Sequence, residues 1–335
     1  VKKSLSVLEW MDIAIIVCEA GTWGEHEEKL LQLTHQNATP TIVVFNKTDL
    51  SEVSVDLLQL IQKRGYPVVL TSAATQQGIE QLRNTIIQMV LSQTEPDRPL
   101  MGDLAHAGDT VILVTPIDTG APKGRLILPQ VQAIRELLDS GAKCFVIKED
   151  RIKETLQELK VPPALVVTDS QVVLRVVKEV PEPIPVTTFS IQMAYAKSDL
   201  KEMAIGAAAI SKLKPGDRVL ISETCSHHPL KDDIGRIKIP NWLKQKFGDI
   251  QIDIAVGKDF PTDLTPYKVI IQCGGCIVTR RHMLARLRAA KAQGVPMTNY
   301  GVAISLLQGV LDRALACHPQ AKAAYENALN AHEKN

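Results

Sequence analysis

Aromatic residues make up only 4% of this 335-residue chain, and no apolar run approaches the length needed to span a bilayer. The N-terminal residues also lack the apolar core of a secretory signal. No membrane association is expected, and the cytoplasm is the default compartment. A net charge of +1, with lysines and arginines scattered among acids, gives no electrostatic ground for a nucleic-acid or anionic-membrane partner. Six cysteines are too few for a disulfide framework at this length, and a CxxC among them suggests metal or redox work in a reducing compartment. GxxxxGK[ST] is absent, as is a DxxG ahead of the first apolar run, so nothing here cradles a triphosphate or holds its magnesium. As written, the chain is not expected to hydrolyse GTP.

What is present is an α/β pattern. Hydrophobic content of 45% and the chain length allow two or three domains with cores of their own. The fold class is three consecutive α/β units with mainly parallel sheets, divided at 1–92, 93–186 and 187–335. In the first, residues 12–18 and 41–45 are apolar throughout, as in central parallel strands covered on both faces. A helix over 25–34 joins them into a βαβ unit, and a third strand (67–70) and a closing helix (79–91) follow. Placed at a sheet edge, the first strand would want a neighbour. The chain opens at Val1 rather than methionine, and the first half of a nucleotide domain is expected to precede it.

Asn46-Lys47-Thr48-Asp49 follows the second strand directly, and Thr71-Ser72-Ala73 ends the third. A carboxylate at Asp49 can accept both the N1 and N2 protons of guanine, which adenine cannot offer. Asn46 can tie neighbouring loops, the Lys47 stem can lie along the purine face, and the Ala73 amide can meet O6. NKTD alone is also a common polar turn. The strand context and the Ser72-Ala73 element favour the base-recognition half of a GTPase.

Residues 92–108, with prolines and glycines, read as a linker. Strands at 110–115, 144–147 and 164–168 alternate with helices at 129–139, 150–159 and 171–178 in a three-stranded parallel sheet. So small a sheet has costly edges, and a homodimer is the natural remedy. The Gly/Lys/Arg loop at 116–125 offers groups for an anion but lacks nucleotide-binding spacing, which favours a structural or subunit-contact loop. A second proline-rich linker covers 179–185.

Beyond it come a helix over 198–213 with Ser198 as N-cap, and strands ending at Cys225, Val256, Gln272 and Met297. Helices are expected over 241–247, 280–292 and 301–316. Cys225-Ser226-His227 and Cys273-Gly274-Gly275-Cys276 each close a β-branched apolar run, which puts three thiols just past strand ends. A cuboidal iron–sulfur cluster offers four iron sites, and three cysteines leave one for His227, for Asp232 as an oxygen donor, or for an incoming ligand. Two rival readings stay open: a structural zinc held by three cysteines and His227, and a thiol–disulfide enzyme using Cys273 and Cys276. His228, before Pro229, reads as scaffold, and Cys18, Cys144 and Cys317 read as small buried hydrophobes.

NKTD, APKGRLILPQVQ, TCSHHP…DDIGRIKIP and CGGC, in this order, resemble the HydF family of iron–iron hydrogenase maturation factors. The resemblance runs through essentially the whole chain. It implies a GTPase domain, a dimerisation domain and a cluster domain whose motif is CxH, a long gap, then HCxxC. Cys225, His227, Cys273 and Cys276 match that motif, and Gln272 stands where many members have histidine. The implied role is a scaffold and carrier that holds a 4Fe-4S cluster. It would accept a diiron precursor from the radical-SAM partners HydE and HydG and pass it to the hydrogenase. GTP, with magnesium, would modulate partner exchange in the full-length protein.

Overall fold

The computed structural model of the protein describes residues 11–36, 39–93, 98–117, 124–224, 233–257 and 259–330. The chain divides into two compact units, Val1–Asp97 and Arg98–Asn335.

In the first unit, β1 (Ala14–Glu19), β2 (Thr41–Asn46) and β3 (Val68–Leu70) form a parallel sheet in that order. Helices α1 (Glu25–Gln36), α2 (Val55–Lys63) and α3 (Ile79–Gln93) follow the three strands in turn. β2 is the centre, with Ile42 to Phe45 all buried. One of its faces packs on Leu31 and Ile61, the other on Leu82, Ile86 and Met89. β1 departs from the expected two-sided burial. It is an edge strand of this unit whose residues alternate between buried and exposed, with Ile15 41% and Val17 62% exposed. The reason is coverage: Ile16 and Cys18 join the cluster around α1, whereas the helix on the other face packs over β2 and β3.

The second unit holds two four-stranded sheets, both wholly parallel. The first runs β5-β4-β6-β7, from β4 (Thr110–Val114), β5 (Lys143–Ile147), β6 (Leu165–Thr168) and β7 (Val186–Thr188). Helices α4 (Leu128–Asp139), α5 (Ile152–Glu158) and α6 (Val173–Glu179) connect them. The expected three-stranded sheet is therefore corrected to four. β7 is only three residues long and follows the prolines at once, so it offers no apolar run to read. The expected division after residue 186 falls inside this strand.

The second sheet runs β11-β10-β8-β9, from β8 (Arg218–Glu223), β9 (Gln251–Val256), β10 (Val269–Gln272) and β11 (Met297–Asn299). Its helices are α7 (Phe189–Lys197), α8 (Leu200–Ile210), α9 (Ile239–Phe247), α10 (Arg280–Ala292), α11 (Tyr300–Leu307), α12 (Leu311–Ala314) and α13 (Pro319–Asn330). The expected helix over 198–213 is α8, shorter at both ends, and α7 just ahead of it was not expected. Asp199, not Ser198, is the N-cap of α8, its carboxylate accepting from the Lys201 and Glu202 amides at 3.0 and 3.3 Å. The expected helix over 301–316 is broken between α11 and α12, where Gly309 takes a positive φ of 73°. α8 lies so close to the sheet that a Cβ on Gly206 would come within 1.9 Å of the Met297 carbonyl.

α7 is shared between the two sheets. Its Phe189, Met193 and Ala196 complete the core formed by β4, β6 and α4, while Ile191 and Ala194 belong to the core of the second sheet.

Candidate functional site

The NKTD turn is built by hydrogen bonds to the end of β3. Asn46 Oδ1 accepts from the Thr71 hydroxyl (3.2 Å) and the Ala73 amide (3.1 Å). Asp49 Oδ1 accepts from the Ser72 hydroxyl at 2.5 Å, and Thr48 donates through both its amide and its hydroxyl to the Thr71 carbonyl. Lys47 adopts a left-handed φ of 64°, and its ammonium meets Glu19 at 3.1 Å. All five residues expected to read a guanine base, Asn46, Lys47, Asp49, Ser72 and Ala73, thus lie on two loops tied to each other. The Ala73 amide, expected to face O6, donates to Asn46 here.

In the second unit the sequence-distant partners β8 and β10 are neighbours in register, Ser222 opposite Gln272. Both strands therefore end at one level. The Cys273 amide donates to the Ser222 carbonyl at 2.8 Å. The Thr224 amide approaches Cys273 Sγ at 3.2 Å and the Thr224 hydroxyl also lies 3.2 Å away. Gln272 Nε2 is 3.4 Å from the same sulfur. Cys225, His227, His228 and Asp232 lie outside the described residues, as does 118–123 of the middle loop. Among the described residues, no group of three or more His, Cys, Asp and Glu is arranged to hold a metal ion.

The loop between β10 and α10 carries Cys276, which packs against the core of the first sheet. Neither it nor Cys273 is in a disulfide. Burial pushes the Cys276 thiol above its ordinary pKa and the nearby Cys273 adds to this, while the Lys197 ammonium pulls the other way. Gly275 takes φ 62°, and a Cβ there would meet Met283 Sδ at 2.4 Å. The loop is held from α7: Lys197 Nζ donates to the carbonyls of Gly275 (3.3 Å), Cys276 (2.8 Å) and Val278 (2.9 Å). In return, Arg280 donates to the carbonyls of Ala196 and Ser198 at 3.1 and 2.9 Å.

Three charged residues at this site escape a motif-based reading. Glu223, the last residue of β8, is 1% exposed and pairs with Arg236 at 3.0 Å, with the Tyr300 hydroxyl donating to it at 3.4 Å. Arg286 is buried behind Cys273, and Lys197 ends α7. The available signal for Arg286 is periodicity, since Met283, Arg286, Leu287 and Ala290 form the buried stripe of α10. Of the thiols expected to be buried, Cys18 is, donating to the Val44 carbonyl, whereas Cys144 and Cys317 are only partly buried; burial pushes both Cys18 and Cys317 up to about 11.

Two parallel sheets joined through one shared helix, with a thiol-bearing loop at the join, define an α/β protein with a candidate thiol site. Residues 100–198 match the hydrogen maturase F dimerization domain, and residues 201–317 match the hydrogen maturase F tetramerization domain. The chain belongs to the hydrogen maturase F (HydF) family. No curated protein matches it. No described helix is long and apolar enough to cross a membrane.

Proposed function

We propose that the protein is a scaffold and carrier in hydrogenase maturation, holding a 4Fe-4S cluster through Cys225, Cys273 and Cys276. The supporting observation is the shared ending of β8 and β10: the residue just before Cys225 touches the Cys273 sulfur through two atoms at 3.2 Å. The donor set suits a cluster. Two free thiols share one loop, and backbone and side-chain donors converge on sulfur, as anionic thiolate ligation demands. When bound, a cluster with three protein thiolates offers one iron to a further ligand. His227 and Asp232 are the candidate side chains for that position, and a diiron precursor is the cargo the family resemblance implies. HydE and HydG as donors and the iron–iron hydrogenase as acceptor are parts of the same proposal.

The NKTD and Ser72-Ala73 loops contribute guanine recognition, with GTP and magnesium acting in the full-length protein to modulate partner exchange. The tie of Asn46 to residues 71 and 73, and of Asp49 to Ser72, supports that role by pre-arranging both loops. Association of copies through the first sheet of the second unit completes the reading.

Anaerobic reconstitution with iron and sulfide, followed by electron paramagnetic resonance after reduction, tests it. The expected result is a reduced-cluster signal that is lost in Cys225→Ala. A colourless protein that keeps one tightly held zinc overturns the proposal, as does a signal unchanged in Cys225→Ala.

A further inference from the structure

Arg286 is 5% exposed, yet the partners of its guanidinium among the described residues are neutral. It donates to Ser222 Oγ (2.9 Å), Gln272 Oε1 (3.0 Å) and the Gly257 carbonyl (2.5 Å), and it lies over the Phe260 ring at 4.8 Å. Among the described residues no carboxylate pairs with it. A buried charge without a counter-charge is costly. Such a residue is stable where the site it faces carries negative charge in its working state. Burial disfavours the charged guanidinium, and among the described residues the Cys273 group, as thiolate, favours it.

Gln272 lies between the two. It is fully buried, and its amide has two ends of opposite character. A guanidinium only donates, so Arg286 compels the amide oxygen to face it. That leaves the amide NH2 to face Cys273, 3.4 Å from its Sγ and 3.5 Å from its carbonyl oxygen. The arrangement has a single sense: cation, amide oxygen, amide N–H, sulfur. With the Thr224 amide and hydroxyl each 3.2 Å away, the sulfur has further polar groups within reach that suit a thiolate or a metal-bound cysteinate.

We propose that Arg286 and Gln272 act as positioning residues that hold an N–H donor on the Cys273 sulfur and supply the counter-charge for an anionic iron–sulfur group bound there. The inference rests on the proposed function, because it needs Cys273 to be a ligand. Donors and positive charge near a ligating sulfur stabilise the reduced, more negative state of a cluster. The relay therefore raises the midpoint potential and slows metal loss.

The test compares the reconstituted protein with Gln272→Leu, Gln272→Glu, Arg286→Met and Arg286→Lys. The midpoint potential is followed by resonance-monitored redox titration, and iron release is followed with a chelator. Gln272→Leu, Gln272→Glu and Arg286→Met are expected to shift the potential to more negative values and to speed iron release by about 10- to 100-fold. Arg286→Lys, which keeps the charge, should recover part of the potential shift. A purely structural staple would change thermal stability without this ordered response. Unchanged potential and unchanged release in Gln272→Leu overturn the inference, and that variant decides the matter if Arg286→Met does not fold. A second arm titrates the metal-free protein with cobalt(II) and reads the thiolate charge-transfer band. Gln272→Leu should bind about tenfold more weakly, and equal affinity overturns the inference. If the wild type takes up cobalt but no cluster, the proposed function fails while this arm still decides the relay.

Discussion

At the scale of single residues, the buried polar groups of the second unit are where chemistry and stability meet. His318 lies 2.9 Å from the Gln192 side-chain amide and stacks at 5.0 Å on Tyr195, and burial lowers its pKa to about 4. An unfolded chain protonates this histidine below an ordinary value of 6.5, whereas the folded chain resists until about 4. The unfolded state thus binds more protons between these values. Stability is complete above pH 6.5 and falls as pH drops toward 4. Between pH 7 and 5 this one group should cost roughly 2 kcal/mol. Urea unfolding at the two pH values should show that loss, and His318→Phe should show less of it. An equal pH response in the variant would count against the assignment. Motif residues at this scale were readable because their chemistry is local: Asn46 to Asp49 and Cys273 to Cys276 follow strand ends in the chain itself. Arg286 and Glu223 were not, since their role depends on which atoms a distant strand brings up. Only the position of Arg286 on an apolar stripe hinted at burial.

At the scale of elements, long apolar strands and capped helices were legible, and short or divided ones were not. β2, β4, β8 and β10 announce themselves by β-branched runs, and α10 runs over Arg280–Ala292 as its pattern indicates. β7 lacks such a run, α7 follows it directly with no strand-to-helix punctuation to read, and the break at Gly309 is decided by a left-handed residue inside continuous apolar periodicity. The most consequential junction is invisible to periodicity. Lys197, within the match to the dimerization domain, grips three carbonyls of a loop within the match to the tetramerization domain. Arg280 returns the contact to the end of α7. Each of these charge-assisted bonds exceeds a neutral one in strength, and losing the ammonium leaves three carbonyls to be rehydrated. Lys197→Met should lower the opening free energy of the 275–279 segment by about 1–2 kcal/mol, or roughly tenfold faster amide exchange. Exchange in α13 should be unaltered. Hydrogen exchange read by mass spectrometry checks both, and uniform acceleration across the unit would mean general destabilisation instead of a local clamp.

At the scale of the whole molecule, the two sheets of the second unit differ in what they leave open. In the second sheet of the second unit the central pair β8 and β10 is enclosed apart from Arg218 at the start of β8, and the site sits over their ends. In the first sheet β5 is an edge strand, and its consecutive residues Phe145 and Val146 are each 42% exposed. Successive residues of a strand face opposite ways, so both faces of this edge are open. The neighbouring α4 adds exposed Leu128, Val131 and Leu138. Parallel edges with apolar side chains are sticky, and the charges that usually guard them, here Lys143 and Lys148, stand only at the ends of the strand. A chain carrying dimerization and tetramerization domains can use that edge to pair copies, and a two-fold contact counts each residue twice. The double substitution Phe145→Glu with Val146→Lys removes apolar contact from both partners and places charge between them. At about 1.5 kcal/mol or more per lost side chain, the combined cost is roughly 3–6 kcal/mol, a hundredfold or greater weakening of association. Light scattering across a dilution series should show the mass falling at concentrations where the unmodified chain stays associated. A mass that stays constant, with unchanged thermal stability, would place the contact on another surface and return β5 to the status of a plain exposed edge.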